Sequence, residues 1–92
     1  MVTLHYTEEA DADLRSIVRY GIENALPDPP AYVRQLRGRF VRLATLKHPG
    51  RAGRVAGTRE WVVTGTPYIA VFRRDGDSVT IVRVLHGAMQ WP

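Results

Sequence analysis

The sequence predicts a single α+β domain in which two antiparallel helices pack on one face of a twisted, mostly antiparallel sheet. Two observations support this class. Apolar residues recur at helical spacing in the first half of the chain, whereas the second half shows the alternating or continuous apolar runs of strands. A proline-rich break at residues 27–30 and a glycine-rich stretch at residues 50–57 separate these segments. The expected order is an N-terminal strand, the helical hairpin and a three-stranded antiparallel meander.

Length and composition limit the class of protein further. The 92 residues suffice for one small domain, which we place at residues 1–92. With 45% hydrophobic and 24% charged residues, the chain is expected to fold rather than remain disordered. The absence of cysteine excludes disulfide scaffolds, thiolate zinc sites and cysteine nucleophiles. No apolar run approaches the about 20 residues of a membrane span and no signal peptide is read, so we expect a cytoplasmic protein without a membrane partner.

The first half of the chain contains the start signals of two helices. Residues 2–6 alternate in polarity and predict a short strand, after which Thr7 is the expected N-cap of the first helix. Asp11 and Arg15 form an i,i+4 pair on its polar side, and the helix should end near residues 24–25. Its apolar stripe consists of Ala10, Leu14, Ile17, Val18 and Ile22.

The second helix is expected to begin at the proline-rich break. Asp28 is its predicted N-cap and Pro29 its first residue, and the helix should end near Lys47. Its apolar positions are Val33, Leu36, Phe40, Leu43 and Leu46, with Ala44 alongside. Its outer face is expected to carry Arg34, Arg37, Arg39 and Arg42.

Three strands are expected after the loop at residues 50–57. They cover residues 59–63, 68–72 and 79–86, joined by a turn at residues 65–67 and a hairpin loop at residues 73–77 that contains Asp75-Gly76. The continuous apolar run at residues 68–72 is typical of a strand that is buried on both faces. The last strand should present Val79, Ile81, Arg83 and Leu85 on one face and Thr80, Val82, Val84 and His86 on the other.

The charges are unevenly distributed along the chain. Lys and Arg number 13 against 9 Asp and Glu, a formal charge of +4. Residues 1–29 have a net charge of −4 and residues 30–92 one of +8, and eight basic residues but no acid lie between Arg34 and Arg59. This pattern favours an anionic partner, either nucleic acid or an acidic protein segment. A solvated basic face that maintains solubility explains the pattern equally well.

Three stretches together resemble a known family. They are Ala12-Asp13-Leu14 with Ile17 and Tyr20, Gly53-Arg54-Val55 with Gly57-Thr58-Arg59-Glu60 and Pro67-Tyr68-Ile69, and Arg83-Val84-Leu85-His86-Gly87 with Trp91-Pro92. In this order and at these spacings the chain resembles the ParE/RelE superfamily, the toxins of bacterial type II toxin–antitoxin modules. The resemblance spans nearly the whole chain.

The resemblance implies a small basic toxin that a cognate antitoxin, ParD-like or RelB-like, holds inactive. The acidic, amphipathic C-terminal segment of the antitoxin would bind a basic groove between the sheet and the helices, and operator DNA would be contacted only through the antitoxin. RelE-like members cleave mRNA in the ribosome, whereas ParE-like members poison DNA gyrase. No cofactor is implied. The three histidines, His5, His48 and His86, lack the spacing of metal ligands.

His86 and Arg83 are the candidate catalytic residues for RNA cleavage. Such a site needs a group that activates the 2′-hydroxyl, cations that stabilise the phosphorane and an acid for the leaving oxygen. Histidine is the side chain most often used as a general acid or base, which makes His86 the first candidate, and Arg83 carries a positive charge three residues before it. In the alternative interpretation His86 makes a structural hydrogen bond at a sheet edge and the arginines hold the antitoxin. The alternative is favoured because the further residues of a catalytic site are not evident.

A comparison of strand registers favours the ParE-like activity. RelE-like enzymes have basic residues at positions that correspond to Glu60, Val62, Ile69 and Met89, and none of these four is basic. Some RNA-cleaving relatives have a terminal His-Tyr pair, but Gly87 follows His86 here. The tail at residues 89–92 also resembles ParE-like ends. We therefore expect binding to a replication protein such as DNA gyrase, with ribosome-dependent mRNA cleavage as the alternative and a toxin fold kept only for repression or assembly as a third.

The candidate residues for binding the antitoxin or the target are mostly arginines. They are Arg34, Arg37, Arg51, Arg54, Arg59, Trp61, Arg73 and Trp91. For each arginine the alternative is an ordinary solvated position. Trp91 is also a candidate to stack on a base, and Trp61 is equally consistent with a core position.

Overall fold

The computed structural model describes residues 1–87 and 90–92. Two helices and five strands follow the predicted order with one additional short strand. The elements are β1 (Thr3–Tyr6), α1 (Glu8–Glu23), α2 (Pro29–Thr45), β2 (Arg51–Ala52), β3 (Arg59–Val62), β4 (Tyr68–Asp75) and β5 (Ser78–His86). None of the helices among the described residues is long and apolar enough to cross a membrane.

The five strands form one mixed sheet in the order β1-β5-β4-β3-β2. The antiparallel meander of β3, β4 and β5 is confirmed. β1, however, runs parallel to β5, with Leu4 opposite Val79. β2 lies within residues 50–57, which were expected to form a loop, and it pairs antiparallel with β3. The fold is therefore α+β with a mixed sheet.

Thr7 links the start of α1 to the last strand. Its hydroxyl oxygen accepts a hydrogen bond from the Ala10 backbone N–H at 3.0 Å, which confirms the predicted N-cap. The same hydroxyl donates to the Val82 carbonyl at 2.7 Å. The Thr7 hydroxyl thus satisfies one of the N–H groups that the first turn of α1 leaves without a partner. It also satisfies the Val82 carbonyl, which lies on the edge of β5 just beyond the end of β1.

Replacing Thr7 with alanine is expected to lower the free energy of unfolding by about 1–2 kcal/mol, because both hydrogen bonds are lost. For a domain of this size, that corresponds to a fall in Tm of about 5–10 °C. Differential scanning fluorimetry measures it. Thr45→Ala is the control, since that hydroxyl donates only to the Arg42 carbonyl at an exposed helix end. Equal Tm values for the two variants would contradict the dual role of Thr7.

The two helices run antiparallel and meet closely at their junction. Gly21 is buried, and a Cβ added there would lie 2.7 Å from Pro29 Cγ. At the other end of α1, Asp11 accepts from Arg37 Nη2 at 3.4 Å. Gly21 thus lies on the buried face of the last turn of α1, where a larger side chain would clash with Pro29. Ile22, predicted to be apolar core, is 65% exposed, and that prediction was wrong.

Two of the four arginines predicted on the outer face of α2 lie elsewhere. Arg37 is half-buried between Asp11 and the ring of Tyr6, whose centroid is 4.6 Å from the guanidinium carbon. Arg39 lies 5.9 Å from the centroid of Trp61 and donates to the Thr64 carbonyl at 3.0 Å. The predicted pairing of Asp11 with Arg15 is replaced by Asp11 with Arg37. Both arginines flank the buried stripe of the helix, so their long side chains reach across it to partners.

The main hydrophobic core lies between the helices and one face of the sheet. The helices contribute Ala10, Leu14, Val33, Leu36, Phe40, Leu43 and Ala44, and the sheet side contributes Val63, Ala70, Phe72, Val79, Ile81 and Val84. Most of the predicted apolar positions of α2 are therefore confirmed. Leu46 is the exception at 36% exposed, because the helix ends at Thr45 rather than near residue 47.

An irregularity in β5 changes which residues face the helices. The register shifts between Val71, which pairs with Arg83, and Phe72, which pairs with Ile81, so Val82 has no Cα partner in β4. Such a bulge reverses the alternation of side chains beyond it. Val84 rather than Leu85 therefore joins Ile81 in the core, and the predicted faces of this strand are wrong beyond residue 82.

The opposite face of the sheet also contains buried apolar residues. Ile69, Val71 and Leu85 are at most 9% exposed although they alternate away from the helices. This confirms that β4 is buried on both faces over residues 69–72. The same strand continues to Asp75, so the predicted hairpin loop at residues 73–77 shortens to the turn at residues 76–77.

Candidate functional site

An open groove of about 730 Å³ lies where α1, the α1–α2 connection, the start of α2 and the ends of β4 and β5 meet. Apolar and aromatic side chains dominate its lining, including Ile17, Tyr20, Leu26, Tyr32, Tyr68 and His86. At one side of the groove Gly21 of α1 packs closely against Pro29 of α2, and both residues belong to its lining.

Three rings from three elements form the floor of this groove. Tyr32 of α2 meets Tyr68 of β4 edge to face at 6.2 Å between ring centroids, and Tyr68 meets His86 of β5 in the same way at 5.9 Å. Desolvation by burial raises the pKa of Tyr32 and of Tyr68 above the ordinary value of 10.0. Both phenols are therefore neutral at physiological pH, and this floor is apolar with hydroxyl groups at its margin.

The rim of the groove exposes large apolar side chains to solvent. Tyr20 is 59% exposed, Leu26 50% and the neighbouring Ile22 65%. Apolar side chains that stay in contact with water do not stabilise the isolated domain. A contiguous exposed apolar surface marks a binding site for a protein or another ligand. Among the described residues, no arginine or lysine lines the groove. The lining of this groove therefore differs from the basic one that the resemblance implied, and the place of the antitoxin site stays a prediction.

Two of the candidate arginines surround a buried carboxylate. Glu60 is 2% exposed and accepts four hydrogen bonds. Arg54 donates from its backbone N–H at 2.9 Å, from Nε at 3.0 Å and from Nη2 at 3.2 Å, and Arg51 donates from Nη2 at 3.3 Å. The hydrogen bonds from Arg54 outweigh the opposing effect of burial, and they lower the pKa of Glu60 from 4.5 to about 2. This cluster fixes the loop after β2 onto β3.

Arg59 and Trp61 also have structural contacts. Arg59 donates from Nε to the Pro49 carbonyl at 3.0 Å and from Nη2 to the Gly50 carbonyl at 2.8 Å. Trp61 is half-buried beside Arg39 and packs against the core. Arg59 thus holds the segment between α2 and β3 in place, Trp61 packs beside α2, and neither residue lines the groove.

Arg83 forms an ion pair with Asp13 of α1 through two hydrogen bonds. Its Nε and Nη2 donate to Asp13 Oδ2 and Oδ1 at 2.8 and 2.9 Å, and Asp13 Oδ2 also accepts from the Val84 N–H at 2.8 Å. The hydrogen bonds to Asp13 raise the pKa of Arg83. The ring of Trp91 lies on the guanidinium, with its centroid 5.3 Å away.

The structure does not bring His86 and Arg83 together. They are three residues apart in β5 beyond the bulge, so their side chains leave opposite faces of the strand. His86 lines the groove, whereas Arg83 is bound between Asp13 and Trp91. Among the described residues, no group of three or more His, Cys, Asp or Glu side chains is placed to hold a metal ion.

A family model described as the ParE toxin of the type II toxin–antitoxin system parDE matches residues 4–91 of this chain. The chain belongs to the ParE toxin family. "Putative toxin Y4kP" of Sinorhizobium fredii is 42% identical over 72 residues, which cover 77% of this chain and 74% of that protein. A solved structure titled "Chromosomal ParDE TA system from P. aeruginosa" superposes with a TM-score of 0.84 at 26% identity, covering 94% of this chain and 96% of the other. The resemblance read from the sequence is thus confirmed, and this chain is a type II toxin.

The remaining candidate residues of this ParE-family toxin are on its surface. Arg34 lies on the outer face of α2, and Arg73 lies on the exposed end of β4, on the face away from the helices. Of the positions that bore on the choice between ParE-like and RelE-like activity, Glu60 is held by Arg51 and Arg54, and Met89 lies outside the described residues.

The apolar character of this groove was not predicted from the sequence. Its residues come from four elements, and the three stretches that carried the family resemblance contribute seven of them, namely Asp13, Ile17, Tyr20, Pro67, Tyr68, Val84 and His86. One signal was present in the sequence. Tyr20 lies off the buried stripe of α1, so an aromatic side chain was placed on a face that the fold itself does not cover.

Proposed function

We propose that this ParE-family toxin is neutralised by a cognate antitoxin whose amphipathic C-terminal segment occupies the apolar groove. The observation that carries the proposal is the combination of a groove floor of aromatic rings and a rim where Tyr20 and Leu26 are at least half exposed. An amphipathic segment buries its apolar face in such a groove. Its acidic residues would then meet exposed arginines outside the groove, such as Arg73. Operator DNA is contacted through the antitoxin.

Charged substitutions on the rim are expected to weaken antitoxin binding at least tenfold. Tyr20→Glu and Leu26→Glu each place a carboxylate where an apolar side chain is to be buried, at a cost of about 1.5–3 kcal/mol, or about 10–100-fold in Kd. Fluorescence anisotropy with a labelled peptide of the C-terminal segment of the antitoxin from the same operon measures the affinity.

Val62→Glu is the matched control for these rim variants. Val62 is 54% exposed and apolar, but it lies on β3 outside the groove. We expect wild-type affinity for this variant. Tyr20→Glu and Leu26→Glu proteins that remain folded and bind the peptide as tightly as the Val62→Glu protein would contradict the assignment of the groove.

We further propose that the toxin inhibits growth by binding a replication protein in the bacterial cytoplasm, with DNA gyrase as the target. Family membership supports this, and so does the pairing of Arg83 with Asp13, which gives that guanidinium a structural contact between β5 and α1. The test is a supercoiling assay with purified gyrase, with and without antitoxin, run beside a reconstituted translation reaction.

The three outcomes of this pair of assays separate the candidate activities. Inhibition of gyrase that the antitoxin relieves supports the proposal. Cleavage of translated message, with gyrase unaffected, would overturn it and make His86 and Arg83 the first residues to mutate. Neither effect, from folded toxin that binds its antitoxin, would favour a toxin fold that serves only repression or assembly.

A further inference from the structure

The outer face of α2 contains a glycine that the fold itself does not need. Gly38 lies near the middle of this helix of 17 residues and is exposed. A Cβ added at Gly38 would meet no heavy atom within 4 Å, so no neighbour in this chain requires the missing side chain. Glycine inside a helix is less stable than alanine. The domain therefore keeps a destabilising residue at a position where alanine would fit.

The neighbours of Gly38 form a continuous exposed surface. At about 100° per residue, Gly38 lies opposite the buried stripe that contains Leu36, Phe40 and Leu43. Arg34 precedes it by one turn and Val41 follows by three residues along the same line, with Arg42 beside them, and all are exposed. We call Arg34, Gly38, Val41 and Arg42 the Gly38 face.

The charge of the Gly38 face is positive and uncompensated. α2 contains no acidic residue from Pro29 to Thr45. Arg37 and Arg39 are engaged by Asp11 and by Trp61, which leaves Arg34 and Arg42 as the cations of the outer face. Within the described part of the chain, neither takes part in an ion pair. Val41, 58% exposed, adds an apolar side chain next to Arg42 on this face.

We infer that the Gly38 face is where this toxin docks on an acidic helical segment of its target protein. A glycine lets a second helix approach closely, because the distance between packed helices depends on the side chains at the contact. Val41 would then be buried at the contact, while the forked guanidinium groups of Arg34 and Arg42 bind carboxylates on either side. The inference rests on the proposed function, in which the toxin acts by binding a protein.

The Gly38 face is distinct from the groove assigned to the antitoxin. None of its four residues lines that groove. Target binding and antitoxin binding can therefore be changed separately, which makes the inference testable in a protein that still binds its antitoxin.

The decisive variant is Gly38→Ala, which is expected to stabilise the toxin and yet weaken it. Its Tm should rise by about 3–6 °C, so loss of folding cannot explain a loss of function. We expect the concentration that half-inhibits gyrase supercoiling to rise about tenfold, while the Kd for the antitoxin peptide stays unchanged. A Gly38→Ala protein that is more stable and as inhibitory as the wild type would overturn the inference.

A pair of charge reversals provides the matched comparison. Arg34→Glu lies on the Gly38 face, and Arg19→Glu makes the same change at an exposed arginine of α1 outside both surfaces. We expect Arg34→Glu to lose at least tenfold in inhibition and Arg19→Glu to change it less than twofold. Equal losses would show a general effect of net charge and contradict a specific face.

The same variants distinguish failure of this inference from failure of the proposed target. If the wild-type toxin arrests growth without inhibiting gyrase, gyrase is the wrong target, and growth inhibition replaces supercoiling as the readout. Reduced growth inhibition by Gly38→Ala at equal protein level then supports the face, and unchanged inhibition overturns it. A wild-type toxin that arrests neither growth nor gyrase would contradict the proposed function and this inference with it.

Discussion

The Glu60→Ala variant is expected to lose about 2–3 kcal/mol of unfolding free energy, because it removes the acceptor of four hydrogen bonds that hold the loop after β2 on β3. Glu60 is almost fully buried and accepts four hydrogen bonds, three of them from Arg54. Urea denaturation of the purified toxin measures the loss. Arg51→Ala is the control, since its one contact of 3.3 Å comes from a side chain that is 65% exposed, and it should cost less than about 1 kcal/mol.

The same carboxylate should make the stability of the toxin depend on pH. Since the pKa of Glu60 falls from 4.5 to about 2 on folding, the carboxylate stabilises the folded state fully above pH 4.5 and loses that effect as the pH falls toward 2. The difference corresponds to about 3 kcal/mol. Urea denaturation between pH 6 and pH 2 should show this loss in the wild type and not in Glu60→Gln. Parallel pH curves for the two proteins would contradict the role of Glu60.

Replacing Asp13 with alanine is expected to cost about 2–4 kcal/mol, a fall in Tm of about 10 °C or more. Asp13 accepts two hydrogen bonds from Arg83 and one from the Val84 N–H, and its side chain is only 14% exposed. Its removal leaves both donors without an acceptor and releases the middle of α1 from β5. Thermal unfolding followed by circular dichroism measures the effect.

Asp11→Ala is the matched control on the same helix. The carboxylate of Asp11 is 43% exposed and has one ion pair at 3.4 Å, so its loss should cost less than about 1 kcal/mol. Equal Tm values for the two variants would indicate that the contact of Asp13 with β5 contributes little. Each variant loses one acidic residue, so the two variants have the same net charge.

Local signals in the sequence predicted the local structure well, whereas long-range pairing was not predictable. Thr7 and Asp28 cap the two helices as expected, because a cap depends on residues within one turn. The parallel pairing of β1 with β5 joins segments more than 70 residues apart. Neither segment contains a sequence signal that indicates its partner or the direction of pairing. The bulge at Val82 was missed, although the alternation of polarity changes phase there: Ile81 and Val82 are both apolar and Arg83 is polar.

The candidate site was harder to predict than the fold. The number and position of the arginines in the sequence did not reveal their ion-pair partners. Arg37 pairs with Asp11 across the helical hairpin, and Arg54 pairs with Glu60. Those contacts give both arginines structural partners that the sequence did not reveal. The groove arises from the junction of several elements, so its apolar character followed from their placement and not from any one segment.

The contacts between the two ends of the chain also bear on how the toxin is made. Thr7 bonds to Val82 and Asp13 to Arg83 across 75 and 70 residues of sequence, and β5 lies between β1 and β4 in the sheet. Until β5 has been synthesised, β1 has no strand partner and the contact of Asp13 with Arg83 between α1 and β5 cannot form. The sheet is therefore completed only after β5 is available, and a product truncated before β5 is expected to lack the folded core.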